Sequence, residues 1–273
     1  MLDTIVLFRE ALYGALVIGL ACSVLGVWVV LRRIVFVGAA LAQLSSAGIA
    51  LALWAGGVSL LAPVLHHPTA VPLAVTLLGA AAFGLGGSRR RVSSEASIGV
   101  AYAVAAALGI LLIAKAATGE AHDIFLQGNI LGITRRDTLV LLAVSVPVLA
   151  LHGALFKEFL FVSFDPETAR TVGYRVQWWT LLLYLTLGVV IAFAMQFAGV
   201  LLVFNLLVLP AVTGLLVART MRGTVMGAVA SAVLAVTIGF ALSIPFDLPT
   251  APAIIAVSGV LVAGAWLVNR SRE

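Results

Sequence analysis

A chain of 273 residues that is 63% hydrophobic and 10% charged, with a mean hydropathy of +1.19, is too apolar for a soluble domain, where charged side chains make up about a quarter of the total. Its net charge of +5 sits in pairs and triples of basic residues at the ends of apolar runs, with no continuous basic face, which argues against nucleic acid and for a lipid bilayer as the surrounding medium. The single cysteine, Cys22, has no partner for an internal disulfide and reads as a packing residue.

Nine runs lack any Asp, Glu, Lys or Arg: Ala11–Leu31, Ile34–Trp54, Val71–Gly87, Ser97–Ala114, Thr138–Leu155, Trp178–Gln196, Ala198–Ala218, Gly223–Phe246 and Thr250–Val268. A bilayer core about 30 Å thick is spanned by roughly 20 apolar helical residues, and a charge at its centre costs on the order of 3 kcal/mol, so the charges mark the connections. The expected fold is all-α: one polytopic bundle over residues 1–273 with about nine membrane helices. Breaks at the tight connections near Arg32 and Gln196 would reduce the count to eight. The start of the chain, Met1 to Arg9, lacks a basic leader, and no A-x-A exit follows the first run, so that helix is expected to be retained.

Placing the C-terminus in the cytoplasm puts twelve of the sixteen basic residues there, leaving only Arg9, Lys115, Arg135 and Arg136 outside. This positive-inside bias sets the N-terminus outside. Lipid gives helices no hydrophobic reason to associate, so small residues that let backbones approach supply the packing. Four rows recur at intervals of four: Ala11, Ala15, Gly19 and Ser23; Gly38, Ala42, Ser46 and Ala50; Ser97, Ala101, Ala105 and Gly109; and Gly223, Gly227, Ser231, Ala235, Gly239 and Ser243. Pro147 and Pro210 each remove a backbone donor inside a run.

Transport driven by an ion gradient calls for an intramembrane acid or histidine that binds the coupling ion. Only His152 stands in a run, and a neutral ring bonded to a helix carbonyl is the expected state for it. There is no G-x-x-x-x-G-K-[ST] loop for nucleotide, no H-E-x-x-H and no G-x-S-x-G elbow. The chain is therefore not expected to be an enzyme, and the force for any pumping must come from another polypeptide.

The segment at residues 163–177 offers a point of delivery. In FDPETARTVGYRVQ, Asp165 reads as an N-cap, Pro166 as the first helical residue and Gly173 as the stop, which predicts a two-turn helix outside the membrane. By itself such a helix serves equally as a surface connector or as a docking element.

FKEFLFVSFDPETARTVGYRV resembles the coupling segment of the permease subunits of ABC transporters that import zinc, manganese or iron. AGVLLVFNLLVLPAVTGLLVART, FDLPTAPAII and RRIVFVGAALAQLSSAGIALAL resemble three further segments of that family, in the family's order. The resemblance implies a multi-pass protein of a bacterial plasma (inner) membrane, paired with a second permease copy or a paralogue, with a separate ATPase that binds ATP and magnesium, and with an extracytoplasmic solute-binding protein. This chain itself would hold no cofactor. Phe164, Asp165, Pro166, Glu167, Ala169 and Gly173 would seat in the ATPase, and the path would follow the dimer axis.

One departure stands out. Where the family reads G-D-A-L-S-H-A, this chain has Ala39 for the acid and Gln43 for the imidazole. Neither is a strong ligand for zinc or manganese. Three readings stand: a metal ion that passes without a strong midplane site, a chelated metal or other organic solute, or a second permease subunit that keeps the ligands. Gln43, Ser45, Ser46 and Asn205, with Ala39 and Pro210, are the candidate path residues, each of which can also serve helix packing. His66, His67, Glu120, His122 and Asp123 form a weak external set of metal ligands, for which solvated loops are the plainer reading.

Overall fold

The computed structural model describes residues 8–56, 69–86, 93–115 and 130–270, and these are helical with no strand among them. The helices are α1 (Arg9–Leu31), α2 (Val35–Gly56), α3 (Ala70–Leu85), α4 (Ser94–Lys115), α5 (Arg135–Ala154), α6 (Phe156–Phe164), α7 (Pro166–Thr171), α8 (Val176–Val217), α9 (Met221–Ser243) and α10 (Thr250–Arg270), with a 3-10 turn at Ile130–Gly132 before α5. Seven of the described helices are long and apolar enough to cross a membrane, and α3 is a shorter apolar one.

The apolar runs and the helices coincide apart from a few residues at their ends. Two connections differ from simple loops. α1 ends at a turn in which Arg33 takes φ 58, while its N–H bonds the Val30 carbonyl and the Ile34 N–H bonds that of Val29. This is the paired bonding of a Schellman turn, with arginine in the left-handed position that glycine usually fills. Farther on, the runs Trp178–Gln196 and Ala198–Ala218 form the single element α8, interrupted only at Gly199 with φ 69 and ψ 168. Only glycine adopts that conformation readily.

The interruption turns the chain back on itself. Arg32 bonds Thr180 near the start of α8, while Val27 clusters with Ala211 near its end. An unbroken helix would hold Thr180 and Ala211 about 46 Å apart at about 1.5 Å per residue, whereas Val27 and Arg32 lie little more than one turn apart. Both arms of α8 therefore end at the same level of the bundle.

Neighbours fix the remaining directions. A Cβ added at Gly48 would touch Pro72, and one at Gly79 would touch Leu44, so α2 and α3 run antiparallel. Thr138 bonds the Glu10 carbonyl at the beginnings of α5 and α1, and Trp28 lies beside His152 near their ends, so those two helices run parallel. Burial ranks the elements: 67% of the most apolar window of α1 is inside the fold, against 22% for each of α4, α5 and α10. The centre is thus α1, α2 and α8, and the outer helices present Leu108, Leu111, Leu139, Val146, Val260 and Leu267 outward, as a lipid-facing surface requires.

Two of the four small-residue rows are dry contacts throughout, and the rows of α9 and α4 divide, with Gly223 and Gly227 of α9 only partly covered. All of Ala11, Ala15, Gly19 and Ser23, and all of Gly38, Ala42, Ser46 and Ala50, are buried. In α9, Gly227 meets Gly214, and Gly239 packs on the backbone of Ile254. The row in α4 divides: Ala105 and Gly109 are buried, while Ser97 and Ala101 are only partly covered.

Candidate functional site

The candidate docking segment forms as its residues dictate. Asp165 Oδ1 accepts the Thr168 N–H at 2.9 Å, Pro166 opens α7, and Gly173, at φ 100, ends it. Hydrogen bonds from Thr168 hold the Asp165 carboxyl below its usual range, so it is fully charged at neutral pH and complements the helix N-terminus. Ala169 is the one buried residue of the helix and packs with Val162 and Val176, while Phe164 is 62% exposed and Glu167 faces solvent. The segment is thus fastened on one side and open on the other. Beside it lies a groove lined by Val172, Gly173, Tyr174, Arg175, Trp178 and Trp179.

α6, which precedes the segment, is a nine-residue helix outside the nine apolar runs. Its Phe159 is fully buried, stacked on His152 with ring centres 4.3 Å apart and set edge-on to Trp179 at 5.3 Å. His152 has a different partner from the carbonyl expected of it. Its Nε2 lies 2.9 Å from Thr186 Oγ1, whose own proton goes to the Leu183 carbonyl.

Arg32, which the sequence marks as an orienting charge at a tight connection, has side-chain partners far away in the chain. Its Nε donates to Ser163 Oγ at 2.8 Å and its Nη1 to Thr180 Oγ1 at 3.1 Å. No carboxylate lies within ion-pair distance of it among the described residues, where the one ion pair is Arg9 with Glu10. Burial lowers its pKa from the usual arginine value, although a guanidinium stays charged at any working pH.

The candidate path residues lie at different depths. Ala39 and Gln43 share one face of α2 and are 8% and 9% exposed, at the edge of burial. Ser45 and Ser46 are wholly buried, and neither hydroxyl has a partner. Asn205 donates to Ser258 at 3.1 Å and leaves its Oδ1 unbonded. Pro210 is buried in the second arm of α8. No group of three or more His, Cys, Asp or Glu side chains gathers among the described residues. His66, His67, Glu120, His122 and Asp123 lie outside the described residues.

Known proteins supply the context. The model of a family described as the ABC 3 transport family matches residues 4–269. The manganese transport system membrane protein MntC of Listeria innocua is 28% identical over 263 residues, covering 95% of this chain and 89% of its own length. The manganese transport system membrane protein MntB of Synechocystis is 30% identical over 271 residues, covering 94% of this chain and 81% of its own. Among solved structures, PsaBC from Streptococcus pneumoniae in complex with Fab superposes with a TM-score of 0.82 at 25% identity, over 97% of this chain and 94% of that one.

Proposed function

Since the chain belongs to the ABC 3 transport family, in which it is a multi-pass membrane permease subunit and not an enzyme, we propose that it forms the translocation path of an importer of divalent metal, with manganese the first candidate. The observation that carries the reading is the likeness to manganese permeases along nearly the whole chain, joined to an exposed, Asp165-capped helix in the family's coupling position. An ATPase hydrolyses nucleotide against Phe164, Asp165, Pro166, Glu167, Ala169 and Gly173, an extracytoplasmic binding protein delivers the cargo, and a second copy of the chain completes the path.

In this proposal the bundle crosses the bacterial inner membrane nine times, with α3 as the shortest crossing and the two arms of α8 as separate ones. The doubling back at Gly199 and the alternating helix directions support that count. An odd count sets the two ends on opposite sides, and the excess of basic residues at one level of the connections favours the first helix starting outside and the last one ending in the cytoplasm.

The cargo passes Ala39 and Gln43 without a strong ligand. A divalent ion stripped of water needs several anionic or imidazole donors, and an amide flanked by methyl groups supplies none. A weak midplane station suits rapid release, since conduction requires that binding not be too tight. The same substitution favours one second reading, a metal wrapped in an organic chelator, because a ligand that already neutralises the ion asks only for a neutral lining. Uptake of manganese(II) and of a chelated metal into vesicles carrying the full transporter separates the two. The ion reading predicts saturable manganese uptake, and uptake confined to the chelate refutes it.

A further inference from the structure

The guanidinium of Arg32 reaches both flanks of the docking segment. Ser163 stands immediately before Phe164, and Thr180 lies in the first turns of α8 beyond Gly173; Arg32 donates to both hydroxyls. Ser163 in turn donates to the carbonyl of Phe159, whose ring is wedged among Trp28, His152 and Trp179. Arg32 itself is the residue at which α1 enters the Schellman turn, and only Arg33 and Ile34 separate it from α2. A push on α7 therefore has a bonded route, through Ser163 and Thr180 to Arg32, into the helix that carries Ala39 and Gln43.

The chemistry of this junction suits a moving part. An arginine half withdrawn from solvent is commonly matched by a carboxylate, but Arg32 has two neutral hydroxyls as acceptors, and its buried Nη2 has no partner. Hydroxyl acceptors hold a guanidinium in direction without the strong mutual attraction of an ion pair, and the spare donor lets it change partners while remaining bonded. A fork with several donors in fixed geometry reaches two elements at once, whereas an ammonium on a flexible stem presents a single point.

We propose that Arg32 is a positioning residue that yokes the docking segment to the α1–α2 turn, so that movement received at α7 is passed to the path helix. This rests on the reading of α7 as the ATPase docking element. The test uses the assembled transporter in vesicles and measures three things: retention of the ATPase subunit, basal ATP hydrolysis, and the factor by which the binding protein stimulates hydrolysis.

Arg32→Gln is expected to retain the ATPase and hydrolyse within twofold of the parent, while stimulation by the binding protein falls at least fivefold. Arg32→Lys should recover about half of the lost stimulation, and Ser163→Ala combined with Thr180→Val should reproduce the loss with Arg32 intact. Unchanged stimulation in either Arg32→Gln or the double variant overturns the proposal. Failure of both to assemble also overturns it, by making Arg32 a folding residue only. Gly173→Pro tests docking separately: if it keeps the ATPase bound and stimulated, the docking reading fails whatever Arg32 does.

Discussion

A Cβ placed on Gly26 would lie 1.8 Å from the carbonyl oxygen of Leu207, whereas one placed on Gly99 would meet nothing within 4 Å. The first glycine lets two central helices touch backbone to backbone, one turn before Pro210, and the second merely occupies a lipid-facing turn. Gly26→Ala should therefore destabilise the bundle by about 1–3 kcal/mol, the usual range for overpacking, and lower its melting temperature in detergent. Gly99→Ala should leave that temperature unchanged. Asp165 makes a pH prediction at the same scale. Because its folded pKa is lowered, its capping contribution is complete above the ordinary carboxyl value and is lost only as pH falls through the lowered one. Binding of the ATPase subunit should thus show no dependence on this group between pH 8 and pH 5, and Asp165→Ala should weaken binding across that whole range. Asp165, Pro166 and Gly173 announce their roles locally, so they could be read from order alone. Arg32 could not, because Ser163 lies 131 positions away and nothing beside Arg32 records that distance.

The helices themselves were legible because each had to clear the same hydrocarbon thickness, and the absence of charge over seventeen or more residues says so directly. Shorter or broken elements were not. FKEFLFVSF has apolar residues on nearly every face, so its sequence does not separate α6 from a connection, and only the burial of Phe159 and Val162 shows which side is inside. The reversal expected near Gln196 falls three residues on, at Gly199, where the backbone leaves the helix with φ 69 and ψ 168, while the Gln196 side-chain amide folds back to donate to the Ala192 carbonyl one turn earlier. In the sequence, Gly199 looks like any other packing glycine. Its φ and ψ make it the hinge, and Gly199→Ala should cost about 1–3 kcal/mol through backbone strain. The loss is expected in yield and thermal stability of the purified protein, with a smaller effect from Gly153→Ala, where the added Cβ meets nothing within 4 Å.

As a whole, the described part of the molecule is a bundle with two dry central helices, a folded-back third, a greasy outer shell and one small exposed element, α7. Nothing in the sequence binds nucleotide through a phosphate loop, and the family to which it belongs assigns that task elsewhere. The candidate path was less legible than the docking segment, because serines, an asparagine and a glutamine in apolar helices serve helix packing as readily as a passage. Ser45 and Ser46 are wholly buried within one protomer, while Ala39 and Gln43, though buried, keep 8% and 9% of their surface exposed, so Gln43 is the better position to probe. Gln43→Leu should lower uptake severalfold with unchanged expression if that edge lines the path between two copies. The central claim is that force enters through α7 from a separate ATPase. Uptake by vesicles holding the permease and binding protein, measured with and without the ATPase subunit and ATP, tests it most directly. The account predicts uptake only when both are present and its loss in Gly173→Pro, whereas accumulation driven by an ion gradient without the ATPase would contradict it.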